Sequence, residues 1–181
     1  MGRSAAGRNL EVAGVARVFT AVLVAALLLG GCAVRAGDAA LVDGEPITEQ
    51  LLAETVADLA AISEAPPRNV LQALIVNQFW LEAAGEAGLG ASEQEGRALL
   101  DELVAESAGE PGREYSPGIV AIARVLVAQR KAAESGQELE LALAAAARLA
   151  EADIEVSPRY GAWSGDVVAP VLPAWLVGGS S

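Results

Sequence analysis

The sequence predicts a mainly α fold: four or five helices, closed by a short two-stranded antiparallel ribbon that the N- and C-terminal segments form. Three observations carry this. Apolar residues recur at helical spacing from Leu52 to Ala150. Two short β-forming stretches, Ala40-Leu41-Val42 and Asp153-Ile154-Glu155-Val156, flank that helical region and are natural partners. Hydrophobic residues make up 53% of the chain and aromatics only 4%, so the core must come mostly from Ala, Leu and Val.

Residues 1–31 have the form of an export signal. Arg3, Arg8 and Arg17 make a basic leader, and no charged residue occurs from Val18 to Gly31. That run is short of the roughly 20 apolar residues that span a bilayer and fits a signal-peptide hydrophobic region. It ends Leu29-Gly30-Gly31-Cys32, which resembles a bacterial lipobox. The resemblance implies cleavage between Gly31 and Cys32 and a thioether-linked diacylglycerol on Cys32, whose thiol takes the lipid. The other readings of this lone cysteine are a small buried hydrophobe or a reactive thiol. At least two acyl chains would hold the protein to a membrane, each buried CH₂ contributing about 0.8 kcal/mol. Residues 32–38 then form a tether.

The folded region opens with Ala40-Leu41-Val42, and Asp43-Gly44 marks a turn because both residues tolerate positive φ. Thr48 is placed to cap the first helix, with Glu49 in its positive first turn. Ile47 and Leu52 are spaced as a hydrophobic staple. The first helix is expected from Thr48 to Ser63, burying Leu52, Val56, Leu59 and Ala60, and Pro66-Pro67 stops it. The second runs from Pro67 to Glu86. It carries the broadest apolar stripe: Val70, Leu71, Leu74, Ile75, Phe79 and Leu81. Trp80 lies beside that stripe and is assigned to core packing.

The third helix starts at a capping box, Ser92-Glu93-Gln94-Glu95, and continues to Glu106, with Ala98, Leu99, Leu103 and Leu100 inward. Residues 107–116 form the longest internal loop. The fourth helix begins near Pro117 with Ser116 as cap and follows Ile119, Val120, Ala123, Val127 and Arg130. Ser135-Gly136 is a break or a kink. The fifth spans Gln137 to Glu151, with Leu139, Leu143, Ala146, Ala147 and Ala150 inward. In Asp153–Ser157, apolar and polar residues alternate as in a strand with one buried face. Residues 164–181 make a Pro-containing tail, either disordered or laid over the helices with Trp175 as anchor.

Composition excludes several functions. The 181 residues carry 12 basic and 24 acidic side chains, a net charge of −12. Removing 1–31 leaves 9 basic and 23 acidic, or −14. Such a chain has no electrostatic footprint for nucleic acid. There is no histidine, so His-based catalysis and His-ligated metal are excluded. No cofactor, metal site or catalytic residue is expected.

The two ends of the folded region share a pattern with a known family. Val42, Asp43, Gly44, Ile47 and Thr48 stand at one end; Val156, Pro158, Arg159, Tyr160, Gly161 and Trp163 stand at the other. Over residues 39–163 this resembles the SurA N-terminal-like domain of extracytoplasmic foldases and chaperones, in a small lipoprotein form. Ser157 replaces the family's more usual Asn. The resemblance implies pairing of the terminal strands and helices that present apolar grooves to unfolded chains. Full-length foldases add a parvulin prolyl-isomerase domain; its histidines are missing here.

Arg159, Tyr160 and Trp163 are the candidate binding residues: Arg159 to clamp a carboxylate, Tyr160 to stack. The competing structural roles are that Pro158 ends the strand, the aromatics pack and Arg159 pairs with a nearby acid. The function expected is that of a lipid-anchored, chaperone-like protein on the outer face of the bacterial cell membrane. It would bind unfolded or partner polypeptides without catalysis. The alternative is an accessory or scaffold lipoprotein serving one dedicated envelope partner. A peptidyl-prolyl isomerase stands last.

Overall fold

A computed structural model describes residues 35–107 and 109–171. Residues 1–34, with Gly31 and Cys32, and residues 172–181, with Trp175, lie outside the described residues. Strands β1 (Asp38–Val42) and β2 (Glu45–Thr48) come first, followed by five helices: α1 (Glu49–Leu59), α2 (Pro67–Glu86), α3 (Glu93–Glu106), α4 (Pro117–Ser135) and α5 (Glu138–Glu151). Strands β3 (Ile154–Val156), β4 (Ala162–Ser164) and β5 (Val167–Ala169) complete the order. The protein is mainly α, and the expected ribbon is present. β1 pairs antiparallel with β3, setting Ala40 opposite Val156, Leu41 opposite Glu155 and Val42 opposite Ile154.

The ribbon belongs to a larger sheet than the sequence reading allows, ordered β2-β1-β3. Asp43 (φ 51°) and Gly44 (φ 83°) are both left-handed, as a two-residue hairpin loop requires. The turn therefore folds Glu45–Thr48 back onto β1 before α1 starts. Pro46 is tolerated because β2 is an edge strand. Asp43 also locks the loop to β3: its N–H donates to the Asp153 carbonyl, and its carboxylate accepts from the Asp153 N–H, both at 2.8 Å. β1 begins at Asp38, the last residue assigned to the tether.

Local signals set the helix starts well. Thr48 Oγ1 accepts from the Leu51 N–H at 3.1 Å. Ile47 and Leu52 are both buried in one cluster. At Ser92 the hydroxyl accepts from the Glu95 N–H (3.2 Å) while the Glu95 carboxylate accepts from the Ser92 N–H (2.7 Å), a complete capping box. Ser116 occupies the α4 cap position but its hydroxyl caps nothing; Asp58 Oδ2 accepts its N–H instead, at 2.7 Å. α1 ends at Leu59 and not at Ser63. After Leu59 the bonds tighten to Ala61 N–H onto Asp58 and Ile62 N–H onto Leu59, the i→i+3 form common at helix ends. Ala60 is exposed, and the buried place falls to Thr55. In α3, Ala98 is exposed, and Gly96 and Val104 are buried beside Leu99 and Leu100. Gly136 (φ 72°) separates α4 from α5, which makes five helices among the described residues.

α5 is rotated from its expected orientation. Leu139 is 72% and Leu143 62% exposed, and Ala146, Ala147 and Ala150 also face outward. Leu141 and Ala145 point inward, onto Ala83 and Ala84 of α2 and Ala128 and Ala132 of α4. Alanines on all three helices permit a close approach. Because Leu139 and Leu143 lie on one side of the helix and Leu141 on another, apolar spacing cannot select its buried face.

Two further clusters complete the core. One joins the sheet to α1 and α2 through Val42, Leu52, Leu71, Ile75 and Phe79. The other joins α3 to α4 through Leu99, Leu100, Val104, Ile119 and Val120, with Tyr115 between. The residues after Tyr160 form a hairpin, β4–β5, that crosses the expected domain boundary at 163/164. Its Val168 is buried in the first cluster.

Candidate functional site

An open groove lies where α1, the Pro66-Pro67 start of α2 and the turn after β3 meet. Its cavity is about 600 Å³, within the range of natural ligand sites. Leu52, Ala53 and Val56 of α1 and Pro66 and Pro67 supply apolar lining, and Glu49, Arg68, Arg159 and Tyr160 complete it. Each element is held there for a local reason. Pro67 fits the first turn of α2, where no N–H is needed. The Tyr160 N–H donates to the Ser157 carbonyl at 2.9 Å, which turns the chain after β3 and brings Arg159 and Tyr160 to the rim.

Arg159 and Tyr160, both expected from the sequence, are therefore brought together in one groove. Arg159 Nη1 donates to Glu49 Oε1 and Oε2 at 3.1 and 3.2 Å, and its guanidinium carbon lies 5.8 Å from the Tyr160 ring centre. The Arg159 side chain is 68% exposed, so this ion pair adds little stability and leaves the guanidinium accessible. Trp163 is not part of the groove. It sits on β4 opposite Val168 and packs against the first core cluster, as a structural residue would.

Sequence reasoning passed over Arg68 and the two prolines as groove residues, having read Pro66-Pro67 only as a helix stop and Val56 only as core. Arg68 makes no ion pair among the described residues and is free to meet a carbonyl or carboxylate. The signal available was a basic residue directly after a double proline at a helix start, which places that side chain beside exposed proline rings. Gly31 and Cys32 fall outside the described residues.

A second depression, of about 480 Å³, borders Asp58, Arg97, Glu114, Tyr115 and Ser116. Beside it, polar contacts through Asp58 and Tyr115 fasten the loop between α3 and α4. Asp101 Oδ1 accepts from the Gly112 N–H (2.7 Å) and the Tyr115 hydroxyl (2.8 Å). The Gly112 N–H first, then the Tyr115 hydroxyl, hold the Asp101 carboxyl below the usual range. Burial, then the Asp101 carboxylate, push the Tyr115 phenol up. Arg113 reaches Asp58 Oδ1 at 3.3 Å and lies over the Tyr115 ring at 5.2 Å. Among the described residues no cluster of acids, His or Cys could hold a metal.

The first groove thus offers an apolar floor, two guanidinium groups and an aromatic rim. That combination suits an extended polypeptide, with a side chain on the floor and backbone carbonyls or a carboxylate on the arginines. Compared with family models, curated proteins and solved structures, the chain matches none.

Proposed function

We propose that this protein is a lipid-anchored, extracytoplasmic polypeptide-binding protein of the SurA N-terminal-like kind, which holds unfolded or partner chains without catalysing a reaction on them. The observation that carries the reading is the groove between α1 and α2, with its apolar floor and the Arg68, Arg159 and Tyr160 rim. The lipobox-like Leu29-Gly30-Gly31-Cys32 supports attachment at the outer face of the cell membrane. The strong negative charge keeps a bound client in solution and favours basic or neutral clients.

The test uses the full chain with a diazirine side chain at Ala53, on the groove, and separately at Glu102, on the exposed side of α3. The probe is ribonuclease A, reduced and carboxamidomethylated so that it stays unfolded. Photoadducts should form at position 53 and be several-fold fewer at position 102. Equal labelling at both positions overturns the assignment of the groove.

A second reading, an accessory lipoprotein for one dedicated partner, is favoured by a separate observation. Leu139 and Leu143 form an exposed apolar ridge on α5, and such ridges commonly mark protein contacts. One stoichiometric partner in a crosslinking pull-down supports this reading; many clients competing for the groove support the first.

A further inference from the structure

We propose that the exposed face of α5 is a self-association surface, on which a second copy of this chain packs its own α5 antiparallel about a two-fold axis. The proposal goes beyond the α1–α2 groove and commits the Leu139/Leu143 ridge to one occupant.

Helical geometry defines the face. Leu139, Leu143, Ala146 and Ala150 are all exposed. They follow one another at steps of four, three and four residues, the seam spacing of paired helices. At 3.6 residues per turn the four lie within about 60° of one another and about 180° from Leu141, which is buried against α2 and α4. α5 therefore carries two apolar faces, of which the fold covers one.

The order of sizes along the seam selects a second copy: two leucines, then two alanines. Turned antiparallel about an axis between Ala144 and Ala145, the seam sets Leu139 against the partner's Ala150 and Leu143 against the partner's Ala146. Every leucine then meets an alanine, so large side chains enter the space that small ones leave. A parallel pair would crowd leucine on leucine at one end and leave a gap between alanines at the other. The face is thus complementary to itself in the antiparallel sense, as an isologous interface must be.

Area and charge set the strength. Two leucines and two alanines per copy fit the low end of interface size, below about 1,200 Å² in total, where weak and transient pairs lie. Each copy carries a net charge of −12. Glu140 and Glu151, both exposed, flank the seam on one side, where the two-fold axis brings both copies' acids together. The pair is therefore weak, with a Kd of order 0.1 mM, and screening by salt strengthens it. Contacts between opposite charges respond to salt in the other direction.

The test uses the full chain with a diazirine analogue of leucine at position 139, as an equal mixture of ¹⁴N- and ¹⁵N-labelled copies. The purified protein is irradiated at about 1 mM, about tenfold above that Kd. Position 139 should become linked to Ala150 of a differently labelled copy. Leu143→Glu should cut that link at least tenfold with unchanged circular dichroism, since Leu143 is 62% exposed in the fold. Leu143→Ala combined with Ala146→Leu, which exchanges the two sizes across the axis, should keep it. Raising sodium chloride from about 50 mM to about 500 mM should increase it several-fold. Absence of links between copies overturns the proposal, and so do links that join position 139 to position 139, which mean parallel packing. A link unchanged by Leu143→Glu, lost in the exchanged variant or weakened by salt overturns it as well. Irradiation of the same chain in its own cells adds one further outcome: a link to a different protein, with none between copies, overturns the proposal and gives the ridge to the dedicated partner of the second reading.

Discussion

The α-carbon of Gly118, at the start of α4, faces the Thr55 hydroxyl of α1 with no room between them for a methyl group. Thr55 is completely buried, and its hydroxyl donates to the Leu51 carbonyl at 2.7 Å within its own helix. The hydroxyl is therefore satisfied locally, and the contact between Thr55 and Gly118 depends on shape alone. Gly118→Ala should destabilise the protein by about 1–3 kcal/mol, the usual cost of overpacking. Thr55→Ala in the same chain should recover part of that loss, because it clears the space the methyl needs. Urea midpoints of the two single variants and the double variant check this. Simple additivity would show that the two residues are not in steric conflict.

Acid should weaken the fold in a defined window. Lys131, whose Nζ lies 2.8 Å from Glu95 Oε1, does most to hold the Glu95 carboxyl at about 2 against an ordinary 4.5; the Ser92 N–H and hydroxyl add to it. Asp101 is held below its ordinary 3.8 by the Gly112 N–H and the Tyr115 hydroxyl. Both carboxyls titrate lower in the folded state than in the unfolded one. Their contribution is therefore complete above pH 4.5 and lost as pH falls toward 2. The urea midpoint should fall between pH 6 and pH 3. Glu95→Gln and Asp101→Asn should each flatten that fall, and a slope unchanged in both variants would remove these two groups from the account. Tyr115 acts in the opposite sense, since burial and Asp101 raise it above 10.0. Its contribution is present below pH 10 and is lost as pH rises through the folded value.

Attachment to the membrane should depend on one atom, the Cys32 sulfur. With Cys32→Ser, the lipid has no nucleophile to receive it, and the chain should leave the membrane fraction. Mass spectrometry of the native protein should find the mature N-terminus at Cys32 carrying diacylglycerol. An unmodified Cys32, or a mature N-terminus elsewhere, would end the lipobox reading of Leu29-Gly30-Gly31-Cys32.

The sequence by itself determined the features that depend on a few neighbouring residues. Thr48 and the Ser92/Glu95 box begin helices because each supplies a hydroxyl or carboxylate to N–H groups within one turn. Pro67 and Gly136 bound helices through their own backbone limits. The pairing of β1 with β3 was legible from strand-forming residues at one end of the folded region and alternation at the other, and Arg159 and Tyr160 of the candidate site from their shared motif. Tertiary structure decided what depends on distant surfaces. Leu141 and Ala145 of α5 turned inward because α2 and α4 present Ala83, Ala84, Ala128 and Ala132 there, leaving Leu139 and Leu143 in water. Val168 closed the first core cluster from a segment whose prolines had marked it only as a tail. Arg68 and the proline pair became groove walls only when the turn after β3 came to lie against α1. Burial is a property of pairs of surfaces, and a stretch of sequence states only one of the two.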